Sequence, residues 1–410
     1  MSAVNFNQKN KKFDLIVWGA TGYTGKLVCE YLIKKYTNTD LRWAIGGRNK
    51  SKIKSFISSL NFKTIPYLIA DSNNKNSLLK MTKMTTTVCS TVGPYDKYGT
   101  LLVEACIENK TNYCDITGET HWIRKIIDNY HEKAIKNKVK IIHACGFDSI
   151  PSDLGVLYAQ SMMKKKSGKY ANKIYMRVYA MKGGVSGGTI DSFINIIEKS
   201  RKNKKVKKIV YNPHSLSPNI DLIMSGEEDL KKIIYDKTIK AWIGPFIMAS
   251  INTRIVRRSN YLLNFPFGRD FIYNEALIVG KSIFRKFLGY FKLMPMFIIS
   301  KIKSKTSMAL IRLFIPKPGE GPTEYSRRKG FFKFRFYLYD KKLKAIATVS
   351  GNGCPGYGST SKILSESAIC LALDKITSQN GVLTPSIALG THLLKRLEKN
   401  ADIKFKIKYL

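Results

Sequence analysis

Phe13-Asp14-Leu15-Ile16-Val17-Trp18 runs directly into Gly19-Ala20-Thr21-Gly22-Tyr23-Thr24-Gly25, and this junction decides the fold. An apolar strand of about six residues, a glycine-rich turn and then an amphipathic helix from about Tyr23 to Lys35 form the opening of a dinucleotide-binding βαβ unit. In that context Gly19 allows the tight turn, Gly22 lets the backbone approach a pyrophosphate, and Gly25 lets helix and strand pack closely. Thr21 and Tyr23 flank the approach, and the helix N-terminus attracts the phosphates through its free N–H groups and dipole. Lys26 suggests a P-loop, but a Walker A motif requires Gly where Ala20 stands and Ser or Thr where Leu27 stands. That reading fails.

Outward from the turn the pattern repeats. LRWAIGG, IPYLIAD, TTVCSTVG, TNYCDI and VKIIHACG read as further strands. Helices are expected near Ser51 to Leu60, Thr100 to Glu108 and Glu119 to Asn137. Strands separated by helices predict a parallel, doubly wound α/β sheet. The second strand ends in Gly46-Gly47-Arg48-Asn49-Lys50, without the acid that would bind a free ribose 2′-hydroxyl. Arg48, with Lys50 or Lys52 nearby, therefore points to NADP (NADPH), the alternative being a solvated loop charge. Asp71, after the third strand, faces the adenine or caps a helix. The fourth strand ends in Ser90-Thr91-Val92-Gly93-Pro94-Tyr95. Ligands of open α/β sheets lie beyond the carboxyl ends of the strands, which sets Thr91, Gly93 and Pro94 against the cofactor unless the segment is a plain loop.

The composition bounds the rest. The chain has 410 residues, enough for two or three domains, with 44% apolar and 24% charged residues. This excludes wholesale disorder and coiled coil. Seventy Lys plus Arg against 29 Asp plus Glu give +41, a surface that attracts anions. Lysine far outnumbers arginine and no nucleic-acid motif occurs, so nucleic acid ranks last as a partner. A biased composition, an anionic membrane or a phosphorylated ligand remain open. The seven Cys form no metal-ligand cluster with the five His; reduced thiols, no bound metal and a cytoplasmic location are expected. The start MSAVNFNQKNKK lacks an apolar signal region. The apolar stretches from Ala241 to Thr253 and Leu293 to Ser300 are shorter than the roughly 20 residues of a spanning helix.

Three divisions follow: a nucleotide-binding domain over 11–150, an inserted α+β substrate domain over 151–355, and C-terminal helices over 356–410 that pack back on the first. Within the second, KIYMRVYAMK (173–182) reads as a strand leading through a glycine turn to a helix opening at Thr189, and 331–350 as a hairpin around Asp340-Lys341-Lys342. Such strands predict a largely antiparallel sheet with one open face. The final helices are expected at Ser361 to Asp374 and Ser386 to Lys399. KSRKNKKVKK (199–208) reads as a solvated charged loop. Lys281 to Lys305 mixes bulky apolar residues with Lys at helical spacing, which fits a helix lying on an anionic membrane or one packed on the core.

Several motifs together resemble a known family: GATGYTGK (19–26), AIGGRNKSK (44–52), STVGPYDKYG (90–99), YCDITGE (113–119), HACGFDSIPSDLG (143–155), NTRIVRRSN (252–260), GPTEYSRRKG (321–330), GNGCPGY (351–357) and GVLTPSIALG (381–390). The chain resembles the saccharopine dehydrogenase-like oxidoreductases, and within them the trans-acting enoyl reductases. The resemblance implies NADP-linked reduction, lipid-pathway roles in some members and membrane or lipid-surface association in others. The expected activity is hydride transfer to an enoyl or related group of a lipid-like small-molecule or acyl-chain substrate. A peripheral position on the inner face of a membrane and a homo-oligomer are compatible with this reading. A non-catalytic nucleotide-fold protein at a lipid surface is the alternative. Proton donors are sought among Tyr95, Tyr98 and Asp115, with Glu119, His121, Asp148 and Ser149 also near strand ends, where each can instead be a helix cap or a surface group.

Overall fold

The computed structural model describes residues 11–60, 65–183, 187–218, 228–301, 321–340 and 343–410. The residues read above at 1–10, 184–186, 302–305 and 341–342 lie outside these. In chain order the elements are β1 (Phe13–Trp18), α1 (Tyr23–Tyr36), β2 (Trp43–Gly47), α2 (Lys50–Ser59), β3 (Tyr67–Ile69), α3 (Lys75–Lys83), β4 (Thr85–Ser90), α4 (Tyr95–Tyr98), α5 (Thr100–Glu108), β5 (Asn112–Asp115), α6 (Thr120–Lys136) and β6 (Lys140–Ile142). Then follow α7 (Ile150–Ser167), β7 (Lys173–Lys182), α8 (Gly187–Lys202), α9 (Lys204–Tyr211), β8 (Ile234–Asp236), β9 (Ala241–Gly244), α10 (Ala249–Leu262), β10 (Ile272–Gly280) and α11 (Ile283–Lys301). The remainder is α12 (Glu324–Arg328), β11 (Phe331–Tyr339), β12 (Lys344–Asn352), α13 (Thr360–Leu373), β13 (Gly381–Leu383), α14 (Pro385–Ala388), α15 (Gly390–Asn400) and β14 (Ile403–Tyr409). The chain forms two compact units: residues 1–117, 125–146 and 357–401, and residues 118–124, 147–356 and 402–410.

The first unit is built on a parallel sheet in the order β13-β6-β5-β4-β1-β2-β3. Its strands other than the edge strand β3 are buried along most of their length, as expected of a parallel sheet covered on both faces. The strand order reverses between β1 and β4, where the connection from β1 runs one way and the later strands the other. Helix α1 buries Val28, Cys29 and Leu32, while Lys34 and Lys35 stand at its C-terminal end, favourable for the helix dipole. Helix α13 is buried along most of its length. Its Glu366 accepts hydrogen bonds from the Tyr31 and Tyr36 hydroxyls at 2.7 Å, from Asn400 Nδ2 at 3.1 Å and from Arg396 at 3.4 Å. A fully buried carboxylate is tolerable only with such a complement of donors.

The second unit carries a mixed sheet in the order β14-β12-β11-β7-β10-β9-β8. All its pairs are antiparallel except β7 with β10. The expected antiparallel sheet is thus corrected in one place, because the chain between β7 and β10 passes through α8, α9 and α10, the long crossover that a parallel pair requires. Phe147, Phe332 and Phe334 meet edge-to-face or tilted at 4.9–5.5 Å. Gly155 on α7 lies so close to Phe336 that an added Cβ would come within 2.4 Å of Cζ.

The expected hairpin is present as β11 and β12, in register from Phe331↔Asn352 to Tyr339↔Lys344. Helix α8 opens at Gly187, earlier than Thr189. The charged run 199–208 is helical rather than a loop. It forms the end of α8 and most of α9, joined at Asn203, whose side chain accepts from the Lys205 and Val206 amides. An Asn cap flanked by good helix formers outweighs mutual lysine repulsion in solvent. The last helical pattern is two helices, divided at Gly390 with φ +47°, and the chain ends in β14 on the second sheet. No helix among the described residues is long and apolar enough to cross a membrane.

Candidate functional site

The glycine turn lies at the strand-order reversal, beyond the carboxyl end of β1. Gly19 has φ +86°, and a Cβ there would come within 2.5 Å of the Val92 side chain and 2.9 Å of Thr91 Oγ1. At Gly25 a Cβ would meet Gly19 O at 2.3 Å and Ala20 Cα at 2.7 Å. Both glycines are therefore demanded by the fold itself. Gly22 differs: its Cβ would meet only Gly19 O, at 3.3 Å. It is the N-cap of α1 without a side-chain cap, and Tyr23 and Thr24 follow it in the first turn, where helix N–H groups lack intrahelical acceptors. The amides and dipole of this first turn form a cradle that suits a pyrophosphate. Thr21 stands within the turn.

Thr91 donates to the carbonyls of Trp18 at 3.1 Å and Gly19 at 3.2 Å, pinning the end of β4 to the turn. Beyond it Gly93 is exposed, and the Gly93–Pro94 peptide is cis. Arg48, at the end of β2, is exposed and has no hydrogen bond or ion pair among the described residues. Lys50 and Lys52 lie in the first turn of α2, which contains no acid there. A free guanidinium and two ammonium groups suit a 2′-phosphate. Asp71 accepts from the Asn73 amide at 2.8 Å in an Asx turn, while Asn74 caps α3. Of the two alternatives for Asp71, helix capping is thereby excluded.

The three proton-donor candidates have different surroundings. Tyr95 is buried at 5% exposure and its hydroxyl donates to Ser90 O at 3.1 Å. Asp115 is fully buried and accepts from the Tyr113 hydroxyl at 2.9 Å, the Thr117 amide at 3.0 Å and the Ala144 amide at 3.2 Å. It also lies 2.8 Å from His143 Nδ1. These contacts tie the ends of β5 and β6 together through Asp115. Tyr98, on α4, is half-buried, and no hydrogen bond to its hydroxyl occurs among the described residues. Sequence reasoning missed His143, which lies in the HACGFDSIPSDLG run but pairs with an acid 28 residues earlier. It also missed Tyr357, whose ring stacks edge-on against Tyr23 at 4.6 Å. The GNGCPGY motif thereby places an aromatic beside the glycine turn.

In the second unit, Ser149 is the N-cap residue of α7 through its carbonyl, which accepts from the Asp153 amide at 2.8 Å, while its hydroxyl donates to Asn252 Oδ1 at 2.9 Å rather than to the helix. Glu119 and His121 are buried. The three arginines of NTRIVRRSN are also buried, and they hydrogen-bond the carbonyls of Val210, Pro213 and Leu216. They staple a polar segment, which accounts for the motif structurally. The seven cysteines are buried and unbridged, and no group among the described residues could hold a metal ion.

Residues 15–142 match the saccharopine dehydrogenase NADP-binding domain family. A Mycobacterium tuberculosis (strain H37Rv) protein provisionally named a trans-acting enoyl reductase is 35% identical over 414 residues, covering 94% of this chain and 96% of that protein. The trans-acting enoyl reductase of Mycobacterium bovis (strain BCG) is 31% identical over 419 residues, with 94% and 96% covered. Among solved structures, saccharopine dehydrogenase (L-Glu forming) from Saccharomyces cerevisiae shares the fold, with a TM-score of 0.55, 12% identity and coverage of 97% and 99%. The parallel sheet, the glycine turn and these matches together place the chain in the saccharopine dehydrogenase-like family of NADP-dependent oxidoreductases, in the branch of the trans-acting enoyl reductases.

Proposed function

We propose that this oxidoreductase reduces the carbon–carbon double bond of an enoyl group conjugated to a carbonyl, on an acyl chain of lipid-like character. The observation that carries this reading is the cradle at Gly22 with the unpaired Arg48 at the end of the neighbouring strand, joined to relatives named enoyl reductases. Bound NADPH supplies a hydride. In this assignment the α1 N-terminus and residues Gly19 to Gly25 hold the pyrophosphate, Arg48 with Lys50 and Lys52 hold the 2′-phosphate, Asp71 lies toward the adenine, and Thr91, Gly93 and Pro94 line the inner side. Conjugate reduction also needs a proton at the carbon next to the carbonyl. Tyr98 is the proposed donor, because its hydroxyl is available, whereas Tyr95 and Asp115 keep the loop ends in place. The second unit is proposed to hold the acyl chain. A non-catalytic role is less favoured, since relatives over nearly the full length carry reductase names.

Peripheral membrane contact is part of the same proposal. Helix α11 packs on β9 and β10, where Gly289 lies against Val279 and Ile233. Its other side exposes Phe284 at 71%, Phe287 at 59% and Phe291 at 69%, beside the cations Lys281, Arg285 and Lys286. Exposed aromatics on a basic helix suit an anionic lipid surface. Sedimentation with phosphatidylglycerol vesicles should be lost when the three phenylalanines become serine; unchanged binding would remove this part. The reaction is tested by following NADPH consumption with a series of 2-enoyl thioesters. Turnover lowered by Tyr98→Phe supports the assignment, and the absence of turnover with every enoyl thioester despite tight NADPH binding would overturn it.

A further inference from the structure

Four neighbouring strands of the second sheet, β14, β12, β11 and β7, mostly alternate between buried and accessible residues. One face is therefore core, and the other carries every second side chain. Strand register aligns these outward residues into rows. The first row runs Lys404, Ser350, Lys333; the second Lys406, Thr348, Arg335, Arg177; the third Lys408, Ile346, Tyr337, Tyr175; and the fourth Lys344, Tyr339, Lys173. The four strands contain no Asp or Glu. Arg177 is buried and bonds Asp236 of β8 at 2.9 Å; the other cations of these rows have no ion pair among the described residues. Arg335 lies 3.6 Å from the Tyr179 ring centroid, and Lys333 lies 5.4 Å from it. Such contacts order cations without neutralising them.

We propose that this face is a docking surface for an acidic protein. Its charge pattern selects that partner over the others. A second copy of this chain would set cations against cations at a two-fold interface. Single-stranded nucleic acid needs several free aromatic faces for stacking, but Arg335 covers Tyr179, Arg177 lies 5.3 Å from the Tyr175 centroid and Tyr339 packs on Tyr175 at 5.6 Å, which leaves Tyr337 alone. A membrane requires apolar groups that protrude, and the rows hold only the half-buried Ile346 and tyrosines. An acidic protein needs only complementary charge, with tyrosine and arginine as ordering contacts. Four strands at about 4.8 Å spacing and seven to ten residues at about 3.3 Å give a face on the order of 500 Å². That is less than one partner contributes to a stable complex, so the docking is transient and salt-sensitive. This inference does not depend on which substrate is reduced.

The test uses the full-length protein and fluorescent poly-L-glutamate as the anionic polypeptide, followed by anisotropy at low and physiological salt. One variant reverses Lys404, Lys406 and Lys408 to Glu. A second reverses Lys204, Lys205 and Lys207 of α9, which are exposed and change net charge equally. The sheet variant should bind about tenfold more weakly and the α9 variant within about twofold of wild type, with wild-type binding falling as salt rises. Should the triple variant fail to fold by circular dichroism, Lys406→Glu alone should weaken binding more than Lys205→Glu alone. Equal losses in the sheet and α9 variants would overturn the proposal. So would a sheet-dependent loss larger for oligo-dT or phosphatidylglycerol vesicles than for polyglutamate, or a wild-type dimer in sedimentation that the sheet variant dissociates.

Discussion

Replacing Glu275 by Gln should abolish a pH dependence of stability that the wild-type protein must show. Glu275 lies on β10, fully buried against α7 and α10. It accepts from the Tyr273 hydroxyl at 2.7 Å and from Asn252 Nδ2 at 2.9 Å. Burial pushes its carboxyl up to about 7, against the opposing pull of hydrogen bonds from Ser152, Tyr273 and Asn252, and Asp229 adds to the rise. A carboxyl raised in the folded state binds its proton more tightly there than in the unfolded chain. Its contribution is fully present below the ordinary carboxyl value of 4.5 and is lost as pH rises through about 7. At about 1.4 kcal/mol per pH unit the full loss is on the order of 3 kcal/mol. For a unit of this size that corresponds to roughly 6–12 °C in Tm. Thermal unfolding of both proteins between pH 4 and 9 supplies the measurement, and the difference between them removes the titration of histidines common to both. Glu275→Gln should gain on wild type as pH rises between those limits and stay level with it beyond. A difference that is flat with pH, or that favours wild type at alkaline pH, would refute the reasoning.

Gly25→Val should prevent folding of the first unit, because its Cβ would strike backbone atoms 2.3–2.7 Å away that cannot move aside; limited proteolysis and circular dichroism will show it. Arg396→Ala removes a cation that bonds Asp374 at 2.5–2.7 Å and approaches the buried Glu366 at 3.4 Å. It should cost about 3 kcal/mol or more in denaturant unfolding. Asp374, which Arg396 holds below its ordinary value against desolvation, should then titrate at higher pH, visible by NMR. Tyr98→Phe should lower kcat by about 10²-fold or more with little change in NADPH affinity, whereas Tyr95→Phe should act mainly on stability through loss of the Ser90 contact.

The parallel sheet was legible because its strands are short apolar runs and its helices long periodic ones, and the Phe13 to Gly25 junction fixed both the order of elements and the cofactor edge. Gly19, Gly22 and Gly25 could be assigned from their places in one turn. The pairing of Asp115 with His143 could not be read in this way, because it depends on β5 and β6 lying side by side, and chain spacing carries no trace of that. Tyr357 was hidden for the same reason, since it is distant in sequence from Tyr23. The final strand escaped although IKFKIKY alternates cleanly, because seven residues after a helix resemble a tail until a partner strand exists. The parallel pairing of β7 with β10 likewise follows from the crossover of α8 to α10, whose lysine-rich middle read as a loop until the Asn203 cap joined it into helices.

The central claim is that the glycine turn and Arg48 form an NADP site, and equilibrium binding of NADPH and NADH to wild type, Arg48→Ala and Gly22→Leu tests it most directly. Wild type should prefer NADPH by about 10- to 100-fold, the value of one charge-assisted phosphate contact. Arg48→Ala should lose that preference while keeping its NADH affinity, and Gly22→Leu should bind neither nucleotide with its circular dichroism unchanged, since its Cβ meets one backbone atom, Gly19 O, at 3.3 Å, against the 2.3–2.7 Å contacts at Gly25. Equal affinity of wild type for both nucleotides, or NADPH binding retained in Gly22→Leu, would contradict the account.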